Sequence, residues 1–126
     1  KIGHFATAEG RFLMREIIDA QRRFFETGKT LDIKFRIAAL KRLKQSIKAF
    51  EPRILDALKA DLGKSATEAY MTEVGMTLAE LSFMLKHTKK FARKRSVKTP
   101  LAQFYAKTYE LRVPYGVALV MSPWNC

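Results

Sequence analysis

Pro114-Tyr115-Gly116-Val117-Ala118-Leu119-Val120-Met121-Ser122-Pro123-Trp124-Asn125-Cys126 is the stretch on which the reading of the fold turns. Val117 to Met121 is an unbroken apolar run containing β-formers and showing no alternation, the pattern of a strand covered on both faces of a parallel sheet. Ser122-Pro123 ends the run. In open α/β sheets, ligands bind just beyond the carboxyl ends of strands, so Trp124 and Asn125 fall where chemistry is expected. A parallel neighbour is reached only through a crossover, usually helical, and no sequence follows to supply one. The expectation is therefore an amino-terminal piece of a larger α/β protein. The piece itself should be mainly α-helical, with one or two carboxyl-terminal strands.

Upstream of the run, Lys107, Tyr109, Leu111 and Val113 alternate with Thr108, Glu110 and Arg112, which reads as a strand with one apolar and one wet face. Before it lies a helical region. From Met14, Ile17, Ile18, Phe24 and Phe25 follow helical spacing, and Gly28 stands where a helix C-terminal glycine would. Asp32 is placed to cap a second helix, whose apolar stripe is Ile37, Leu40, Leu43, Ile47 and Phe50. Proline is tolerated only in a first helical turn, so this helix should break or kink at Glu51-Pro52 and resume through Ile54, Leu55, Leu58 and Leu62 to Gly63. Ser65-Ala66-Thr67-Glu68 has capping-box spacing and opens a long helix with the seam Met71, Val74, Leu78, Leu81 and Leu85. Thr99-Pro100 ends the helical region. Residues 1–13 show no clear period, and Met14 reads as the natural start after a leader.

Composition narrows the class. The 126 residues are 48% hydrophobic, ordinary for a globular domain, and no apolar run approaches the roughly 20 residues of a membrane-spanning helix. One cysteine, Cys126, forms no internal disulfide, which fits a reducing, cytoplasmic setting. The net charge of +12 raises nucleic acid or anionic lipid as a partner, since no acidic residue lies between Glu80 and Glu110 while lysines and arginines accumulate there. Phe83, Phe91, Phe104 and Tyr105 are too thinly spread for a stacking platform, so a solvated basic face is the stronger reading and a basic helical binding module the alternative. Neither His87 nor His4 has a second ligand at metal spacing.

Pro123-Trp124-Asn125, preceded by Pro114-Tyr115-Gly116 and the apolar run, resembles the aldehyde dehydrogenase superfamily. Further segments match its class 3, fatty-aldehyde-type branch in order. These are Gln21-Arg22-Arg23-Phe24-Phe25, Gly28-Lys29-Thr30, Phe35-Arg36-Ile37, Leu40-Lys41-Arg42-Leu43-Lys44, Asp61-Leu62-Gly63-Lys64, Glu68-Ala69-Tyr70 and Lys98-Thr99-Pro100-Leu101. The resemblance implies an α/β parent with a Rossmann-type cofactor domain, oxidation of aldehydes with NAD or NADP through a cysteine thiohemiacetal, and a homodimer. It divides the chain into a helical part of the cofactor domain (14–100), an extended segment of the oligomerisation region (101–115), and the first covered strand with the start of the active site (116–126).

The same resemblance assigns the site. Asn125 becomes the neutral donor that stabilises the oxyanion, and Ser122, Pro123 and Trp124 become contacts to the cofactor's nicotinamide ribose end. From spacing alone, Asn125 reads instead as a residue satisfying backbone groups at a strand end, and Trp124 as a core filler. The family's nucleophilic cysteine, its glutamate base and most of its dinucleotide site are not among these residues. Cys126 falls where the family usually has Phe or Tyr and has no base partner in a readable motif, so it is expected to pack rather than react.

Overall fold

A computed structural model describes residues 8–122 of the chain. Four helices and a two-stranded ladder follow in order: α1 (Ala8–Glu26), α2 (Ile33–Leu62), α3 (Ala66–Ala69), α4 (Gly75–Phe91), β1 (Arg95–Ser96) and β2 (Tyr109–Glu110). Short 3-10 turns lie at Lys29–Leu31 and Leu101–Gln103, and a π turn at Tyr70–Val74 joins α3 to α4. Helix α1 begins at Ala8, ahead of Met14.

The helix ends obey local chemistry. Gly28 takes φ 73° and donates its N–H to the Phe25 carbonyl at 3.0 Å, turning the chain out of α1 through a conformation that costs glycine little. Asp32 then caps α2, its carboxylate accepting from the Lys34 N–H at 2.9 Å. Arg36 reaches back from the first turn of α2 to the carbonyls of Thr30 and Leu31, tying the connection to the helix. Ser65 caps α3 by accepting from Glu68 N–H at 3.2 Å.

Two helical expectations are refined. Of the break or kink expected at Glu51-Pro52, the break does not occur: helix α2 runs as one element through Pro52. Proline removes the hydrogen bond that would end on the Lys48 carbonyl, but Lys48 and Pro52 are both exposed, so water can serve that carbonyl. The long helix expected from Ser65 is interrupted by the π turn, in which Gly75 donates to the carbonyl of Tyr70 five residues back. That extra residue rotates everything upstream of it. The covered seam is Ala69, Val74, Leu78 and Leu81, with Thr88 further on, and Met71, which spacing alone puts on the seam, is 67% exposed.

This seam is the core. Ala69, Val74, Leu78 and Leu81 are the buried apolar residues among those described, and α4 lies along α2. The stripe of α2 is only half-covered: Ile37, Leu40 and Ile47 are partly buried, while Leu43 and Phe50 are exposed. Lys44 on α2 donates to the Ser82 hydroxyl on α4 at 2.6 Å, and Phe24 of α1 meets Phe35 of α2 with ring centres 5.9 Å apart. Lys64 holds the π turn from outside, its ammonium 2.8 Å from the Glu73 carboxylate and 3.2 Å from the Thr72 hydroxyl.

The strands are shorter than the alternation suggests. Arg95 faces Glu110 and Ser96 faces Tyr109 in an antiparallel pair, so the Lys107–Val113 reading survives as two ladder residues, and its partner strand had no sequence signal. Tyr109, Leu111 and Val113 are all exposed. The run Val117–Met121 is in no ladder, and Leu119, Val120 and Met121 are each 81% exposed. A strand covered on two faces needs neighbours, and the described residues provide none for it.

Candidate active site

The approach to the candidate site is the segment from Arg112 to Ser122. Val113, Pro114 and Tyr115 pass over a groove of about 700 Å³ between α2 and α4, which Phe35, Leu40, Met84 and Phe91 also line. The hydroxyl oxygen of Thr30 at its edge is buried and has no hydrogen-bond partner among the described residues. Gly116 then turns the chain at φ 102°, which side chains rarely adopt, while a Cβ there would meet the Phe25 ring at an ordinary 3.6 Å. Glycine is therefore required by the backbone angle and not by space. Beyond it, Val117 and Leu119 face Ile17, Ile18 and Phe25 of α1 across a second groove of about 760 Å³.

Of the four candidate site residues, Ser122 alone lies within the described part, and it is exposed and outside regular structure. Pro123, Trp124, Asn125 and Cys126 lie outside the described residues, as does His4. The described residues therefore include the segment leading to Ser122 and none of the other candidate site residues. The described glycines with positive φ are Gly28, Gly63 and Gly116. The first two close α1 and α2, Gly28 also leading into the three-residue 3-10 turn, and the third turns into the terminal segment, so none opens an α-helix N-terminus to cradle a pyrophosphate. Among the described residues, Ser122 is the one candidate cofactor contact.

His87 sits on α4 between Phe83 and Phe91, with ring centres 4.1 and 5.8 Å away, and its Nδ1 is 2.8 Å from the Phe83 carbonyl. Among the described residues no group of three or more His, Cys, Asp or Glu side chains is arranged to hold a metal ion, and no helix is long and apolar enough to cross a membrane.

Comparison with known proteins completes the assignment. The aldehyde dehydrogenase family model matches residues 1–126, the whole chain. The chain belongs to the aldehyde dehydrogenase family. Several of its curated relatives are named as members of aldehyde dehydrogenase family 3. The chain is 44% identical over 102 residues to the 4,4'-diaponeurosporen-aldehyde dehydrogenase of Staphylococcus aureus, covering 81% of this chain and 22% of that protein. It is 37% identical over 111 residues to the dimeric NADP-preferring aldehyde dehydrogenase of Canis lupus familiaris, covering 87% and 24%. Against the solved substrate-bound state of Staphylococcus aureus AldH, the TM-score is 0.78 at 40% identity, over 81% of this chain and 22% of that one. The chain thus spans less than a quarter of the length of these relatives. The reading of a mainly helical part of an aldehyde dehydrogenase fold stands.

Proposed function

We propose that this aldehyde dehydrogenase sequence serves NAD(P)-dependent oxidation of aldehydes to carboxylic acids, and that the 126 residues supply the amino-terminal share of the machinery without being active alone. The observation that carries the reading is the family match along the full chain, ending in Ser122-Pro123-Trp124-Asn125 behind an apolar run. In the proposed reaction a cysteine thiolate from another part of the enzyme forms a C–S bond to the aldehyde carbon. The carbonyl π electrons move onto oxygen, so negative charge develops there. NAD or NADP, when bound, would supply the acceptor for the hydride lost from this carbon as its C=O bond re-forms. The resulting thioester is hydrolysed by water to the acid, returning the thiol.

Within that scheme Asn125 donates its amide N–H to the developing oxyanion. An amide suits the role because it donates without titrating, and one such donor is worth roughly 2.7–4 kcal/mol in comparable sites. Ser122, Pro123 and Trp124 contact the nicotinamide ribose end, and Cys126 packs. Residues 14–100 form the helical part of the cofactor domain and 101–115 join the oligomerisation region of a homodimer, which the dimeric canine relative supports. The setting is proposed as cytoplasmic. Both NAD and NADP remain within the proposal, the canine relative being named NADP-preferring.

The decisive experiment is single-turnover kinetics in an active full-length enzyme that carries this sequence. Asn125→Ala should slow acylation by about a hundredfold or more, and an unchanged rate refutes the assignment. The 126-residue chain alone should form no NADH or NADPH from aldehyde. Activity that survives Cys126→Ser overturns that part.

A further inference from the structure

Helix α1 carries two adjacent phenylalanines that meet different neighbours. Phe24 packs on Phe35 of α2, with ring centres 5.9 Å apart. Successive residues of an α-helix point about 100° apart, so Phe25 faces elsewhere, and what it meets is the base of the terminal segment. A Cβ built on Gly116 lies 3.6, 3.8 and 3.9 Å from Cε1, Cδ1 and Cζ of the Phe25 ring, three consecutive atoms along one edge. The chain therefore turns against that edge, at φ 102°. Phe25 is itself held in place, its carbonyl accepting from the Gly28 N–H at 3.0 Å in the turn that closes α1. From Phe25 the same face of α1 continues through Gln21, Ile18, Ile17 and Met14, which line a groove with Tyr115 to Leu119. Cover fades along the run, from Val117 at 39% exposed to Leu119 at 81%. The seat on α1 is thus closest where the segment begins.

We propose that Phe25 is a positioning residue for aldehyde oxidation: its ring is the stop against which the chain turns at Gly116, and it thereby sets the direction in which the segment departs. The inference rests on the reading of Asn125 as oxyanion donor and adds to it a residue remote in sequence. Glycine makes such a stop necessary. Lacking a Cβ, Gly116 is freer in φ than any other residue, so the angle at the base of the segment has to be fixed from outside. Phe25 fixes it from α1, and Phe24 ties α1 to α2, which refers the base of the segment to the helical body. Asn125 follows Gly116 by nine residues in the sequence. Over such a span, at most about 30 Å when extended, a rotation of about 1° at the base moves the far end by about 0.5 Å. That is the whole tolerance of a preorganised donor.

The test is a double-mutant cycle in an active full-length enzyme that carries this sequence, read as the single-turnover rate of acylation. Phe25→Ala should slow acylation about tenfold or more, since a misplacement of about 1 Å can cost about a hundredfold. In the Asn125→Ala background the same substitution should cost less than about twofold, because no donor is left to misplace. A merely structural phenylalanine would cost the same factor in both backgrounds, and that result overturns the proposal, as does an unchanged rate in Phe25→Ala alone. An unchanged rate in Asn125→Ala alone overturns the reading of Asn125 first and the proposal with it, so the two failures are told apart. Phe25→Leu keeps apolar bulk without the ring edge and answers the same question should the alanine variant fail to fold. A loss that disappears in the Asn125→Ala background is expected of it, and an equal loss in both backgrounds, or none, overturns the proposal.

Discussion

Gly75→Ala measures how firmly the π turn is built into the fold. An ideal Cβ at Gly75 lies 2.9 Å from the Tyr70 carbonyl oxygen and 3.3 Å from an atom of the Tyr70 ring. The nearer contact is with backbone, and that carbonyl is the one that accepts the Gly75 N–H, so the methyl group cannot be cleared by turning a side chain. Forcing an extra methyl into such a place costs about 1–3 kcal/mol. Against this, alanine is better than glycine in a helix by about 0.8–1 kcal/mol. The balance is a net loss of about 1 kcal/mol, or several degrees in melting temperature for a chain of this size. The assay is urea unfolding followed by circular dichroism at 222 nm, with the midpoint expected to fall and the slope to hold. A stabilisation of the size of the helix-propensity gain would refute the reasoning, because it would mean the turn converts to ordinary α-helix at no cost. Met76→Ala, next in sequence and 61% exposed, is the control and should change little.

Three further outcomes are expected of the same structure. Glu73→Gln removes the charged partner of an ammonium whose side chain is 11% exposed; because Glu73 itself is 31% exposed, the expected loss is about 1–2 kcal/mol in the same unfolding assay, and a loss below the error of the method would show the pair to be solvated. Pro52→Ala restores an interior donor to α2 and should raise stability by at least about 1 kcal/mol, short of the full helix-interior penalty of about 3 kcal/mol, whereas destabilisation would mean that the proline shapes a bend the packing needs. The isolated 126-residue chain should self-associate as concentration rises, because Leu119, Val120 and Met121 are each 81% exposed; light scattering that shows a monomer at all concentrations, with residues 117–122 protected from hydrogen exchange, would refute it.

The features legible in the sequence were those that act within a few residues. Gly28, Asp32, Gly63 and Ser65 mark helix ends by local chemistry, and each is found doing so. The Leu78 and Leu81 seam followed from period alone. The π turn did not, because its signal is a change of spacing: the covered positions Ala69 and Val74 are five residues apart, and Met71 offered a plausible substitute at the ordinary step. At Pro52 the sequence allowed a break that does not occur, since the rule against interior proline presumes that the freed carbonyl has no water to turn to. Strand β1 has no periodic signal in two residues, and only its pairing with Tyr109–Glu110 defines it. Ser122-Pro123-Trp124-Asn125 was legible as a motif, but its geometry lies outside the described residues apart from Ser122.

The distribution of exposure links the proposed chemistry to the folding of the terminal segment. The buried apolar residues among those described all lie on the α3 to α4 seam, while the faces turned toward Val117–Met121 are only half-covered. An oxyanion donor works only if its amide is already fixed where charge develops, which requires positioning to within about half an ångström. In the sequence Asn125 follows a run that makes no ladder bonds among the described residues. Covering the run with neighbouring strands would gain roughly 1.5–3 kcal/mol for each large side chain buried and would immobilise the segment at the same time. In this arrangement the interaction that stabilises Val117–Met121 is the one that would aim Asn125. Substitutions in the run, such as Leu119→Ala in a full-length enzyme, should therefore lower the acylation rate as well as stability, even though Leu119 makes no contact with substrate in the proposed scheme.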